Sequence, residues 1–232
     1  MRLKIGIALL FFVSSFALAA QTTTCLDIAD EPHHQLLFQN QNVQIYRLDL
    51  GRLESTEMYC VAHPFLRIIA ADGRTTDLVA GEAGYQHDWH AGEARLVYVG
   101  KKKQIRNELS TSYREYVVET LRTVEYVQGD NNYDTDAFGY DVADVKPTWS
   151  VTFARAGLAA TRTKLAPEDV TGLGTPNYLL IALTEVDLKL SGDPKPNNIA
   201  LPAGDSQMLK GGHERELKNQ GAVPARFITV EF

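Results

Sequence analysis

Gly204-Asp-Ser-Gln-Met-Leu-Lys-Gly-Gly-His-Glu-Arg-Glu-Leu-Lys-Asn219 is the stretch that decides the fold. Its frame is Gly204, Lys210, Gly212, Arg215 and Asn219. The same frame stands 112 residues earlier as Gly92, Tyr98, Gly100, Lys103 and Asn107. Glycine takes positive φ without a Cβ clash, so each copy reads as short strands joined by tight turns. The closing Asn can tie the next turn through its side-chain amide. The offset continues outside the frame. Pro64-Phe-Leu-Arg-Ile-Ile-Ala70 lies over Pro176-Asn-Tyr-Leu-Leu-Ile-Ala182, and Arg114, Val118 and Glu119 lie over Arg226, Val230 and Glu231. One long period indicates a duplicated domain rather than a solenoid.

The chain around these copies has strand character. Val43, Ile45, Tyr46, Leu48 and Leu50 nearly alternate with polar residues, and Met58 to Ala70 gives two short strands about Pro64. Further strands are expected at Arg95–Val99, Tyr113–Val127, Thr148–Arg155, Leu158–Leu165 and Ala225–Phe232, with a core pair in Tyr178–Leu190. No window reads as a long amphipathic helix, so the fold class expected is all-β, a sandwich or barrel. Residues 21–41 read as an N-terminal arm that can add an edge strand, and His33-His34 is expected to be solvated. The first barrel spans 42–127, a Gly/Asp/Asn-rich connection 128–147, and the second barrel 148–232.

Residues 1–20 resemble a cleavable secretory leader: Arg2 and Lys4, an apolar run from Ile5 to Val13, then Ala17-Leu-Ala-Ala20. A secreted or periplasmic location follows, with no stable membrane anchor after cleavage. The 232-residue chain has a formal charge of −6; loss of Arg2 and Lys4 leaves 21 basic against 29 acidic residues, or −8. An acidic surface repels phosphate backbones and argues against nucleic acid as a partner. Cys25 and Cys60 are an even pair, and in an oxidising compartment they are either bridged or two free thiols.

The repeated frame resembles the second motif of the cupin superfamily, Gly-x5-Pro-x-Gly-x2-His-x3-Asn. With two copies, the chain looks like a bicupin. That resemblance implies two tandem double-stranded β-helix (jelly-roll) barrels, each with a pocket at one mouth. In metal-bearing cupins three His and one Glu hold the ion, which for such ligands is Fe, Mn, Ni, Cu or Zn. Here the corresponding positions fall on Glu57, Tyr59, His63 and Lys103 in the first copy. In the second they fall on Asp169, Thr171, Thr175 and Arg215. Lys and Arg offer no lone pair while protonated, so no metal cofactor is expected. Each copy instead gains one acid and one base, which predicts buried Glu57–Lys103 and Asp169–Arg215 pairs.

The function expected is therefore non-catalytic binding of a small polar or anionic ligand, or of a partner, at a barrel mouth. Trp89 would join Tyr59 and His63 as a pocket wall. The alternative is a metal-dependent dioxygenase or isomerase using Glu57, His63, His87 and His90. Lys101-Lys-Lys103 reads as a solvated turn. No Ser-His-Asp spacing, Gly-rich phosphate loop or Cys-x-x-Cys is present. Exposed strand edges would allow a homodimer through sheets.

Overall fold

The computed structural model describes residues 25–97, 99–121, 147–155, 158–193 and 197–232. The expected leader, Tyr98 and all of the 128–147 connection except Pro147 lie outside the described residues. Every regular element described is a strand. The first half holds β1 (Leu26–Asp27), β2 (His34–Gln39), β3 (Val43–Leu50), β4 (Tyr59–Cys60), β5 (Phe65–Ile69), β6 (Gly73–Val79), β7 (Tyr85–Trp89), β8 (Ala94–Val97), β9 (Lys102–Asn107) and β10 (Tyr113–Thr120). The second holds β11 (Trp149–Arg155), β12 (Leu158–Leu165), β13 (Val170–Leu173), β14 (Tyr178–Ala182), β15 (Val186–Ser191), β16 (Asn197–Leu201), β17 (Ser206–Leu209), β18 (Arg215–Asn219) and β19 (Ala225–Glu231).

The sheets repeat. In the first half the orders are β2-β3-β10-β5-β8 and β1-β4-β9-β6-β7; in the second they are β11-β12-β19-β14-β17 and β13-β18-β15-β16. Strand for strand the neighbours match, with β1 the sole addition. The stretch read as an arm supplies β1 and β2, and β2 occupies the edge that β11 occupies in the other half. Cys25, just before β1, and Cys60 on β4 form a disulfide at the edge of the other sheet, where β1 pairs with β4, with Cα atoms 5.5 Å apart.

Burial explains the sequence pattern. Strands β5 and β14 are buried on both faces, so they read as continuous apolar runs rather than alternating ones. One face of each points into its own barrel. Phe65, Ile69, Tyr113 and Val117 pack there with Leu48, Tyr59 and Trp89, and Leu180, Ala182 and Phe227 pack likewise with Leu188 and Leu217. The opposite faces meet each other. Ile45, Leu66, Ile68 and Val118 form one core with Ala160, Leu179, Ile181, Ile228 and Val230. Polar contacts clasp this seam from both sides. Arg114 donates to the Gly204 carbonyl (3.3 Å) and to Asp205 (2.6 Å), Tyr116 donates to Gly204 (2.9 Å), and Arg162 donates to the Gly92 carbonyl (3.3 Å). Gly92 has φ +90°, and a Cβ there would lie 2.7 Å from Leu183 Cδ1, so the turn and the close approach both require glycine.

The frame's asparagines act as expected, and identically. Asn107 Nδ2 donates to the Gly51 (2.9 Å) and Thr111 (2.7 Å) carbonyls, while its Oδ1 accepts from Leu109 N–H (3.0 Å). Asn219 does the same to Leu165 (2.9 Å), Val223 (2.9 Å) and Gly221 (2.9 Å). Each amide thus ties the end of one strand to the turn after another.

Three expectations change. The copies are not aligned without gaps throughout. Glu119 stands opposite Phe65 and Glu231 opposite Tyr178, so Arg67 corresponds to Leu180, not Leu179. The first half carries one extra residue in each of the β3–β4, β4–β5 and β6–β7 loops, and a one-residue slip moves a side chain to the other face. Lys101–Lys103 is not a solvated turn: it runs into β9, and Lys103 is buried. His34 is not solvated either. Buried Glu31 holds His34 Nδ1 at 2.6 Å and His33 Nδ1 at 2.9 Å.

Substituting Ala for Asn107 or Asn219 leaves two carbonyls and one N–H without partners. Each change should lower unfolding free energy by about 2–3 kcal/mol, read from urea midpoints at constant m-value.

Candidate functional site

The interior of the first barrel is charged. Lys103 is the second residue of β9, opposite Tyr59, and is 6% exposed. Its ammonium lies 2.7 Å from Asp77 Oδ2 on the neighbouring β6. Arg67 reaches the same oxygen (2.8 Å) from β5 of the facing sheet. Through Nε it also holds Glu115 Oε2 on β10 (2.5 Å), and Nη2 donates to the Tyr113 hydroxyl (3.2 Å), which itself donates to Glu115 (2.5 Å). Arg67 lies 4.5 Å and Arg95 4.4 Å over the Trp89 ring, whose indole N–H is fixed by Thr75 (2.8 Å). Beside this group is a cavity of about 360 Å³ lined by Arg67, Asp77, Tyr85, Trp89, Arg95 and Lys103, with a Glu82–Lys101 ion pair at its lip.

The charges sustain one another. Burial alone would raise the Asp77 pKa, but Arg67 and Lys103 outweigh it and hold the carboxyl far below its usual range. Burial, opposed by Asp77 and reinforced by the Arg67 charge, pulls Lys103 below an ordinary lysine. Burial pushes Tyr113 well up, and Glu115 adds to that, so the phenol stays a donor. Lys103 has three N–H donors and, among the described residues, one acceptor, Asp77. The second barrel keeps none of this anionic machinery. Leu180, Leu190 and Phe227 stand where Arg67, Asp77 and Glu115 stand in the first.

The structure separates several residues expected to meet. Glu57 is exposed ahead of β4, and its N–H donates to Glu31 (3.0 Å), because Tyr59 takes the inward place opposite Lys103. Lys103 therefore pairs with Asp77 rather than Glu57. Asp169 does not pair with Arg215: β13 sets Leu173 opposite Arg215, while Asp169 sits four residues away along β18, its carbonyl on Asn219 N–H (3.0 Å) and its carboxylate accepting from Thr148. Thr171 is half-buried on β13 opposite Leu217, and Thr175 is exposed with its carbonyl on Gly212 N–H (2.7 Å). Tyr59 is buried, and its hydroxyl meets no hydrogen-bond partner among the described residues.

The alternative metal set does not assemble. His63 is exposed in the β4–β5 turn, its N–H on Glu119; His90 is exposed beyond β7; His87 stacks beside Trp89, with ring centroids 4.9 Å apart. Among the described residues no three His, Cys, Asp or Glu side chains converge as metal ligands. The donors at the first barrel's centre do not fit a transition metal either, since Lys103 is an ammonium and Asp77 is already shared by two cations.

Arg67, Asp77, Glu115 and Arg95 were missing from the sequence reading. Their signal was present: Arg67 interrupts Phe-Leu-Arg-Ile-Ile, and Glu115 lies two residues from Tyr113 and Val117, hence on their inward face.

At the disulfide edge two buried carboxyls titrate oppositely. Burial and nearby Asp27 raise Glu119 to about 7. Burial would raise Glu31 also, but hydrogen bonds from His34, His33 and the Glu57 N–H bring it to about 2. A raised acid stabilises fully below its unfolded pKa and loses that contribution as pH rises to the folded one; a depressed acid does the reverse. Stability should fall between pH 4.5 and 7 through Glu119, and again below pH 4.5 through Glu31. Glu119→Gln should flatten the upper decline, a difference on the order of 3 kcal/mol between the two proteins by pH 7. Within the charged group, Asp77→Leu alone should cost about 3–5 kcal/mol by leaving buried Lys103 without its counter-ion and Arg67 with Glu115 alone. The triple R67L/D77L/E115F, which copies the second barrel, should cost less than its single changes summed; urea titrations check both.

No family model matches the sequence, and no curated protein does. Solved structures do match. AerE from Microcystis aeruginosa is similar over 87% of this chain and 97% of its own, at 9% identity and TM-score 0.59. A cupin 2 conserved barrel domain protein from Leptotrichia buccalis is similar over 85% and 87%, at 13% identity and TM-score 0.57. A salicylate 1,2-dioxygenase from Pseudaminobacter salicylatoxidans is similar over 85% and 75%, at 8% identity and TM-score 0.58. Likeness at these identities speaks for the fold: this chain is built as cupin barrels.

Proposed function

We propose that the chain is a secreted bicupin that binds a small carboxylate-bearing ligand in the first barrel without a metal. The observation that carries this reading is Lys103, a buried ammonium at the wall of a cavity with, among the described residues, one acceptor for three donors. An entering carboxylate satisfies the remaining N–H groups where Asp77 cannot. Arg95 adds a second cation, and Trp89 and Tyr85 offer apolar faces to the ligand's body. A cavity of about 360 Å³ suits a small molecule. The second barrel has Leu180, Leu190 and Phe227 where Arg67, Asp77 and Glu115 stand, so it has no counterpart of this charged wall. The Cys25–Cys60 disulfide supports an oxidising, extracytoplasmic location.

Trp89 is the built-in reporter. Titrating a panel of small aromatic and aliphatic carboxylates should change its fluorescence saturably, and Lys103→Met should weaken binding by about 10–100-fold while the protein stays folded. Equal affinity in K103M would sink the reading. So would a stoichiometric transition metal in the purified protein that is required for binding.

A further inference from the structure

The two halves differ most sharply at one buried charge. In the first, the cation on β9 has a counter-ion on the adjacent strand β6, Lys103 on Asp77. In the second, the matching cation is Arg215 on β18, but Asp77's place is taken by Leu190: Leu190 stands opposite Leu217 as Asp77 stands opposite Ile105. The acid was replaced and the base was kept. Arg215 is 3% exposed. Among the described residues its Nε has no acceptor, and Nη2 reaches one oxygen, the Pro176 carbonyl at 3.4 Å. Among the described residues no carboxylate lies within ion-pair distance of its guanidinium. A guanidinium does not escape burial by losing its proton, so it needs a counter-charge from elsewhere.

Arg215 borders two clefts. One, of about 480 Å³, is lined by Asn197, Gln207, Lys210 and His213, donors suited to an anion, with Asp193 holding His213 at 2.7 Å. The other, of about 500 Å³, carries Glu214 and Glu216, both exposed, and is the less suitable side.

We infer that Arg215 is the floor of a separate oxyanion site in the second barrel, where a small carboxylate supplies the counter-charge that Asp77 supplies in the first. The planar fork takes such a group through two N–H bonds. The ligand enters from the Asn197–Gln207 side, and this site works whether or not the first barrel's cavity is occupied.

Acetate at constant ionic strength is the probe, with the Arg215 Nε–H resonance in a ¹⁵N spectrum and the melting temperature as readouts. In the wild type acetate should shift that resonance saturably and raise the melting temperature, as a ligand of the native state does. In a Lys103→Met background Arg215→Leu should abolish the acetate-dependent rise, whereas Lys103→Met alone should keep both responses, which separates this site from the first-barrel reading. Leu190→Asp, which restores the internal counter-ion, should weaken acetate binding at Arg215 by at least about tenfold, and stands as an independent test should R215L not fold. An Arg215 resonance indifferent to acetate in the wild type, or one equally responsive in L190D, overturns the inference.

Discussion

One carboxylate oxygen organises the first barrel. Asp77 Oδ2 takes Lys103 from its own sheet and Arg67 from the facing sheet, so a single atom stitches the two layers through the barrel's centre. Removing the acid would leave Lys103 without its counter-ion and Arg67 with Glu115 alone, whereas removing one cation leaves the other on the acid. Such a group adds little net stability over packed hydrocarbon. The second barrel shows the hydrocarbon version, with Leu180, Leu190 and Phe227 in the same places. What the charged version adds is a cavity wall with directed donors.

That contrast sets what the two halves share apart from what differs between them. Both halves share sheet order, the positive-φ glycines of the turns and the asparagine ties, which are backbone requirements and tolerate almost no change. Inward side chains are constrained only as a group, by volume and by charge balance. The first half balances its interior with two acids and two bases; the second fills it with apolar residues and retains one buried cation.

Much of this was legible beforehand. The Gly and Asn frame announced turns because those residues have few other reasons to recur at fixed spacing, and β3, β5, β10, β12, β14 and β19 announced themselves as apolar runs. In the second sheets β4 and β15 lie in stretches expected to be strands, but β6, β7 and β9 expose one face and carry Lys, Arg, Asp and Thr, so little apolar alternation marks them. The site failed for a related reason. Motif spacing led to Glu57 and Asp169, which precede their strands, while the true partner of Lys103 lies on an adjacent strand that only pairing register reveals. Single-residue differences in three loops also displaced the overlay by one face, so Arg67 was matched to a residue of the seam rather than of the interior.

The seam itself has a consequence. Each half turns its wholly apolar sheet face toward the other, and each glycine turn offers its carbonyl to an arginine of the opposite half. The arrangement is that of two halves of like topology set face to face across one apolar core. Either half produced on its own would be sticky, and its least costly remedy would be to embrace a copy of itself in the same pose. Fusion fixes the stoichiometry at one of each, and so lets the two interiors evolve apart without ever assembling with the wrong mate.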